Sequence, residues 1–180
     1  MKKFIFGVTG ILMMVITVLG YRNINKLFPE NKITKVPMGS QIEYQEDIYV
    51  SVREKEVLSK KESEELYEET IYVFPYDGAR VLKVVLELEN RGEEKREVFL
   101  SDLNMESKGM NNGISPGDTE ILGGQESIRV ELEPGERRQK IIGFNILANQ
   151  INKKEWKEIE ERKFYLTFAL YPEKKMLELE

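Results

Sequence analysis

The chain has 180 residues, with 27 Lys and Arg against 32 Asp and Glu, and contains neither His nor Cys. Without imidazole or thiol there is no Ser-His-Asp triad, no Cys nucleophile, no disulfide and no zinc site built on His or Cys. Setting aside Lys2 and Lys3 takes the net charge from −5 to −7, and no dense basic patch follows, which argues against a nucleic-acid partner.

Phe4 to Tyr21 are 18 consecutive uncharged residues preceded by Lys2 and Lys3. As a helix rising about 1.5 Å per residue they span roughly 27 Å, close to the roughly 30 Å of a bilayer's hydrocarbon. The pattern predicts residues 1–21 as an uncleaved signal anchor, a single transmembrane helix meeting the membrane through residues 4–21. The alternative is a secretory signal cleaved near Gly20, which would release the rest as a secreted protein; bulky Val18 suits such a cleavage site poorly. With no Cys, no N-terminal lipid can serve as the anchor. A short basic tail stays inside while a long C-terminal region is translocated, so the expected localisation is the cell membrane, single-pass, with the C-terminal domain extracytoplasmic. Residues 22–31 have no period and contain Pro29, and are predicted as a linker to a domain over residues 32–180.

Beyond the linker the period is two. Ile48, Val50 and Val52 alternate with Tyr49, Ser51 and Arg53; Leu82, Val84, Leu86 and Leu88 alternate with Lys83, Val85, Glu87 and Glu89; Ile128, Val130 and Leu132 alternate with Arg129 and Glu131. These are half-buried strands. Further strands are predicted at Lys32 to Val36, Arg96 to Leu100, Lys140 to Ile146, Phe164 to Tyr171 and Lys175 to Leu179, with turns at Asp77-Gly78, Asn90-Arg91-Gly92, Pro116-Gly117 and Pro134-Gly135. Ile, Leu, Val and Phe make up roughly 28% of the chain after residue 21, above the roughly 20% below which charged chains stay disordered. Strands so spaced, with three Ala in the whole chain, predict a mainly β domain built as an antiparallel sandwich. Two short helices interrupt it. Ser59 to Thr70 opens with Ser59 three residues before Glu62, a capping box, and offers only Leu66 and Tyr67 for burial. Asn152 to Arg162 places Asn152 to cap onto Glu155, and Trp156 with Ile159 on one face to dock on the sandwich.

Three segments, KITKVPMGSQIEY from Lys32, RVLKVVLELENRGEE from Arg80 and VELEPGERRQKIIGFNI from Val130, follow the apolar N-terminal segment and short linker. In this order they resemble a group of membrane-anchored immunoglobulin-like domains of unknown function from Gram-positive bacterial surface proteins. The signature is a strand ending in Asn, here Leu88 to Gly92, and a Pro-Gly-Glu turn before a Phe-bearing strand, here Glu133 to Phe144. The resemblance implies an immunoglobulin-like β-sandwich. It lends no catalytic or binding residue, and the Ser59 to Thr70 insertion departs from it.

Candidate chemistry is sparse. Asp102, Asn104 and Glu106 have the spacing of the first half of a calcium loop, but Ser107 stands where Gly is needed and Gly113 where Glu is needed, so a solvated loop is expected. Met105 to Gly124 is Gly-rich without GxxxxGK and is predicted as a mobile loop and a plausible binding edge. The carboxylates of Glu62 to Glu69 and Glu155 to Glu161 show no feature separating a glycosidase pair from solvated faces, and no Lys-Ser nucleophile pair stands out. Tyr72, Phe74 and Tyr76 alternate as a core face, with an exposed aromatic strip as the alternative, and Trp156 is expected to pack rather than stack on a ligand. The sequence therefore names no catalytic, cofactor-binding or metal residue and no cofactor, and predicts a non-enzymatic interaction module with a protein partner at the cell surface. The alternatives are an accessory subunit of a membrane transport or secretion complex, or a carboxylate-based cell-envelope hydrolase.

Overall fold

A pleated strand points successive side chains to opposite faces, and in the computed structural model Leu82, Val84, Leu86 and Leu88 are all fully buried along one such face. The structure describes residues 2–29 (side chains from Gly10 onward), 32–68, 70, 78–123, 128–170 and 172–180. The chain divides into a helical unit, Met1–Lys32, and a β unit, Ile33–Glu180.

The helical unit is α1, Lys2–Leu27. It runs past Tyr21 into the segment expected to be a linker, and the Phe28 N–H donates to the Ile24 carbonyl at 2.8 Å to close its last turn. Pro29, with no N–H to donate, ends it. Ile11, Leu12, Met13, Met14, Val15, Ile16, Val18 and Leu19 are exposed around its whole circumference. Among the described residues no helix is long and apolar enough to cross a membrane. The expected span over residues 4–21 begins with side chains outside the described residues, and from Gly10 onward the helix soon takes in Arg22, Asn23, Asn25 and Lys26.

The β unit contains β1 (Lys32–Val36), β2 (Ile42–Gln45), β3 (Ile48–Val57), α2 (Lys60–Glu65), β4 (Ala79–Asn90), β5 (Arg96–Phe99), β6 (Asn104–Ser107), β7 (Met110–Gly113), α3 (Pro116–Gly123), β8 (Arg129–Leu132), β9 (Arg137–Leu147), α4 (Lys153–Lys157), β10 (Tyr165–Ala169) and β11 (Glu173–Glu178). One sheet has the order β1-β11-β10-β6-β7, a second β2-β3-β4-β9, and β5 pairs with β8 alone. The long strands are antiparallel, β3 to β4 from Ile48↔Asn90 to Val57↔Leu82 and β4 to β9 from Ala79↔Leu147 to Glu89↔Arg137. The inward faces of all three sheets meet in one core, where Phe144 and Leu86 pack with Leu166, Phe168, Val98 and Leu132. Each such side chain contributes about 1.5–3 kcal/mol by leaving water. The result is a mainly β, sandwich-like fold with a few short helices.

Every strand expected from the sequence is present, though the Phe164 to Tyr171 prediction ends on a residue outside the described set. Three strands were not expected. β2 is four residues long, and its turn into β3 is Glu46-Asp47, without Gly or Pro; Asp47 itself takes φ 64°, a left-handed conformation that Asp tolerates. The Gly-rich segment read as a mobile loop is instead the β6–β7 hairpin, turned at Lys108-Gly109 with Gly109 at φ 76°, followed by α3; Gly124, its last residue, lies outside the described residues. Pro116-Gly117 starts that helix rather than a turn. Pro116 takes the first helical position, where a missing N–H is harmless, while Ser115 Oγ accepts from the Asp118 N–H at 3.3 Å. The Asp77 half of the Asp77-Gly78 turn lies outside the described residues.

α2 has the expected capping box: the Ser59 N–H donates to Glu62 Oε2 at 2.9 Å and the Glu62 N–H to Ser59 Oγ at 3.3 Å. Its burial is greater than Leu66 and Tyr67 alone suggest. Tyr67, Leu58 and Val81 form a small second core on the outer face of β4, against which Leu66, Ile121 and Leu122 pack.

Candidate functional site

Two connections, the β6–β7 turn and the β9–β10 connection that carries α4, meet at one end of the β unit. Asn152 Oδ1 accepts from the Lys154 and Glu155 N–H groups at 3.1 and 3.0 Å, capping α4 as its sequence predicts. Ile159 is buried, and Trp156 packs against the main core with the Arg80 guanidinium 5.4 Å from its ring centroid. Trp156 is thus a packing residue that seats α4, and the opposite side of the connection faces solvent. There it forms a cleft of about 420 Å³ with the β6–β7 turn and the start of β10, lined by Ser107, Lys108, Glu155, Glu158, Glu161, Arg162, Lys163 and Tyr165.

Arg162 organises this cleft. Its side chain is 10% exposed, and its Nε donates to Ser107 Oγ at 2.7 Å, one terminal nitrogen to Glu155 Oε2 at 2.9 Å and the other to the Lys108 carbonyl. The Ser107 hydroxyl in turn donates a hydrogen bond to the Lys163 carbonyl at 2.7 Å. The guanidinium holds the Glu155 carboxyl below the usual carboxylate range. The planar fork of Arg thereby ties the hairpin turn to the helical connection. The Ser107 hydroxyl, donating to the Lys163 carbonyl and accepting from Arg162 Nε, is held as a structural group. Lys163 pairs with Glu180 at 3.0 Å, while Glu158 and Glu161 make no ion pair among the described residues. The rim is therefore of mixed charge.

The other sequence candidates do not assemble. The Asn104 side-chain amide donates to the Asp102 carbonyl at 3.0 Å, and Glu106 accepts from Lys174 Nζ at 2.6 Å. Among the described residues no group of three Asp or Glu could hold a metal ion. In the Glu62 to Glu69 run, Glu64 and Glu65 meet Lys60 and Lys61 at 3.5 and 3.3 Å on the solvated face of α2; Glu69 lies outside the described residues, as do Tyr72, Phe74 and Tyr76.

Two clusters were not foreseen. At the far end of β4, Asn90 is fully buried; its amide donates to the Glu94 and Leu132 carbonyls at 2.8 and 3.1 Å, and its Oδ1 accepts from the Gly92 N–H at 2.9 Å. The Asn90 N–H donates to the Glu136 carbonyl, and the Gly135 N–H donates to the Asn90 carbonyl. The strand-ending Asn and the Pro-Gly-Glu turn are thus one hydrogen-bonded corner, with Gly135 at φ 73°. Beside it Glu89 accepts from Gln41, Arg91 and Arg137 at 2.7–3.1 Å, and the two guanidinium groups hold its carboxyl down at about 2. On the outer face of β4 and β9, the Tyr67 hydroxyl donates to Asp118 Oδ1. Asp118 is fully buried, its Oδ2 has no partner among the described residues, and burial pushes its carboxyl above the usual range.

Packed antiparallel sheets joined by hydrogen-bonded corners define a β-sandwich module. The chain belongs to the family described as Domain of unknown function (DUF5028), which it matches over residues 32–175. No curated protein matches it. Among solved structures it is similar to an uncharacterised β-sandwich protein of Clostridium difficile 630 (15% identity, TM-score 0.47, covering 84% of this chain and 97% of that one). It is also similar to the secreted protein MPT63 of Mycobacterium tuberculosis (11%, 0.49, 83% and 99%) and to a conserved hypothetical protein of Bacillus anthracis (18%, 0.45, 72% and 87%).

Proposed function

We propose that the protein is a membrane-tethered interaction module: α1 anchors the chain through residues 4–21, and the β unit, an immunoglobulin-like sandwich, is displayed outside the membrane to bind a protein partner without catalysing a reaction. The observation that carries this reading is the exposed, all-round apolar surface of α1 from Ile11 to Leu19. A helix apolar on every side is covered by a protein core or by lipid, and the uncharged run reaches back to Phe4, behind Lys2 and Lys3. The cleft beneath α4 supports binding rather than chemistry, because the polar groups of Arg162, Ser107 and Glu155 are spent on one another. Tethering raises the concentration of such a module near membrane-bound partners.

Exchanging residues 1–21 for an unrelated membrane anchor tests this. Whole-cell crosslinking is expected to give the same adduct with the native and the exchanged anchor. An adduct lost on exchange would overturn the reading in favour of an accessory subunit whose helix makes the contact, and the absence of any adduct from either chain would overturn the interaction role itself.

A further inference from the structure

The helix changes character at Tyr21. Up to Leu19 its exposed apolar residues leave no polar side. From Tyr21 onward, at 100° per residue, Tyr21, Ile24, Leu27 and Phe28 fall within an arc of about 120°, and Arg22, Asn23, Asn25 and Lys26 fill the opposite side. All four apolar residues are exposed, from 57% at Ile24 to 69% at Leu27. Arg22 and Lys26 stand one turn apart on the polar side and make no ion pair among the described residues. No acidic residue occurs between Gly10 and Phe28.

We infer that this end of α1 is a lipid-binding segment, with Tyr21, Ile24, Leu27 and Phe28 submerged in the interface of the membrane leaflet and Arg22 and Lys26 on the phosphates of anionic lipids. The inference rests on the anchor reading and adds a lipid class and a geometry to it. Continuity supplies the occupant, since the amphipathic turns extend the apolar run without a break in hydrogen bonding up to Phe28. Length supplies the reason. The uncharged run spans roughly 27 Å, about 3 Å short of the hydrocarbon thickness, and the stripe from Tyr21 to Phe28 lengthens the apolar surface by about 10 Å on one side only. A helix so built tilts to submerge the longer side. Tyr at the boundary and basic residues reaching outward are the side chains that interface accepts, and the two cations on the polar face attract anionic lipid headgroups.

The absence of Cys makes the test direct. Ile24→Cys, Phe28→Cys and Asn25→Cys in the full chain, each carrying an environment-sensitive fluorophore, are reconstituted into vesicles of phosphatidylcholine alone or mixed with phosphatidylglycerol, with a spin-labelled lipid as quencher. Labels at 24 and 28 are expected to be quenched about twofold more than at 25, with the contrast larger in the anionic vesicles and reduced to that of phosphatidylcholine by Arg22→Gln with Lys26→Gln. Equal quenching at the three positions, or no dependence on phosphatidylglycerol, in vesicles that retain the chain through an alkaline carbonate wash would overturn this inference and leave the anchor standing. Loss of the chain in that wash would overturn both.

Discussion

Glu89 and Asn90 are neighbours with opposite chemistry at one corner of the sandwich. Asn90 is neutral and fully buried, and its three side-chain hydrogen bonds go to backbone groups; leaving such groups unpaired costs about 1–3 kcal/mol each. Glu89 is charged and nearly buried, held among Gln41, Arg91 and Arg137 on the other face of β4. Its folded carboxyl titrates at about 2 against an ordinary 4.5, so the folded state binds this proton less tightly than the unfolded state does. The stabilisation is therefore complete above pH 4.5 and is lost as the pH falls towards 2. Denaturant unfolding across that window is expected to show the stability of the native chain falling more steeply with acid than that of Glu89→Gln, with the two curves parallel above pH 5. Parallel curves throughout would show that the guanidinium contacts do not hold the carboxyl down. The Asn of the strand-ending signature was legible in the sequence as a turn residue. Its burial was not, because Leu132 and Glu136, whose carbonyls it engages, are distant in sequence.

At the scale of elements, α3 is set against β9 by the absence of a side chain. A Cβ on Gly143 would lie 2.4 Å from Asp118 Cβ and 3.0 Å from the Asp118 backbone carbon, while the Gly143 N–H donates to Thr119 Oγ1 at 3.0 Å and its carbonyl accepts from the Ser115 N–H at 2.8 Å. Gly143→Ala is expected to push α3 outward, with a loss of about 1–3 kcal/mol and faster proteolysis within residues 116–123; an unchanged melting temperature and digestion pattern would contradict this docking. The long strands were readable because β3, β4 and β9 bury one face of alternating Leu, Val and Ile. The β6–β7 hairpin was hidden because its only large apolar residues are Met105 and Met110, set among Gly and Asn. α3 did carry a signal in Ser115-Pro116-Gly117-Asp118, a cap residue followed by Pro at the first helical position, but the Pro-Gly pair also reads as a turn. The cleft was less visible still: Ser107, Glu155 and Arg162 meet only after β6 and β10 pair.

For the whole molecule, the structure divides into a helical unit, Met1–Lys32, and a β unit, Ile33–Glu180, and the two carry different parts of the account. The β unit belongs to the matched family and presents a cleft in which Arg162, Ser107 and Glu155 are paired with one another. The helical unit presents apolar surface that water does not favour, first on every side and then on one. The proposal joins them by putting the helix in lipid and the sandwich outside. The most direct measurement is protease shaving of intact cells carrying the full chain, with lysed cells alongside. The account predicts that the β unit is cut from intact cells while a fragment containing residues 4–21 remains with the membrane; a β unit protected in intact cells and digested only after lysis would contradict it.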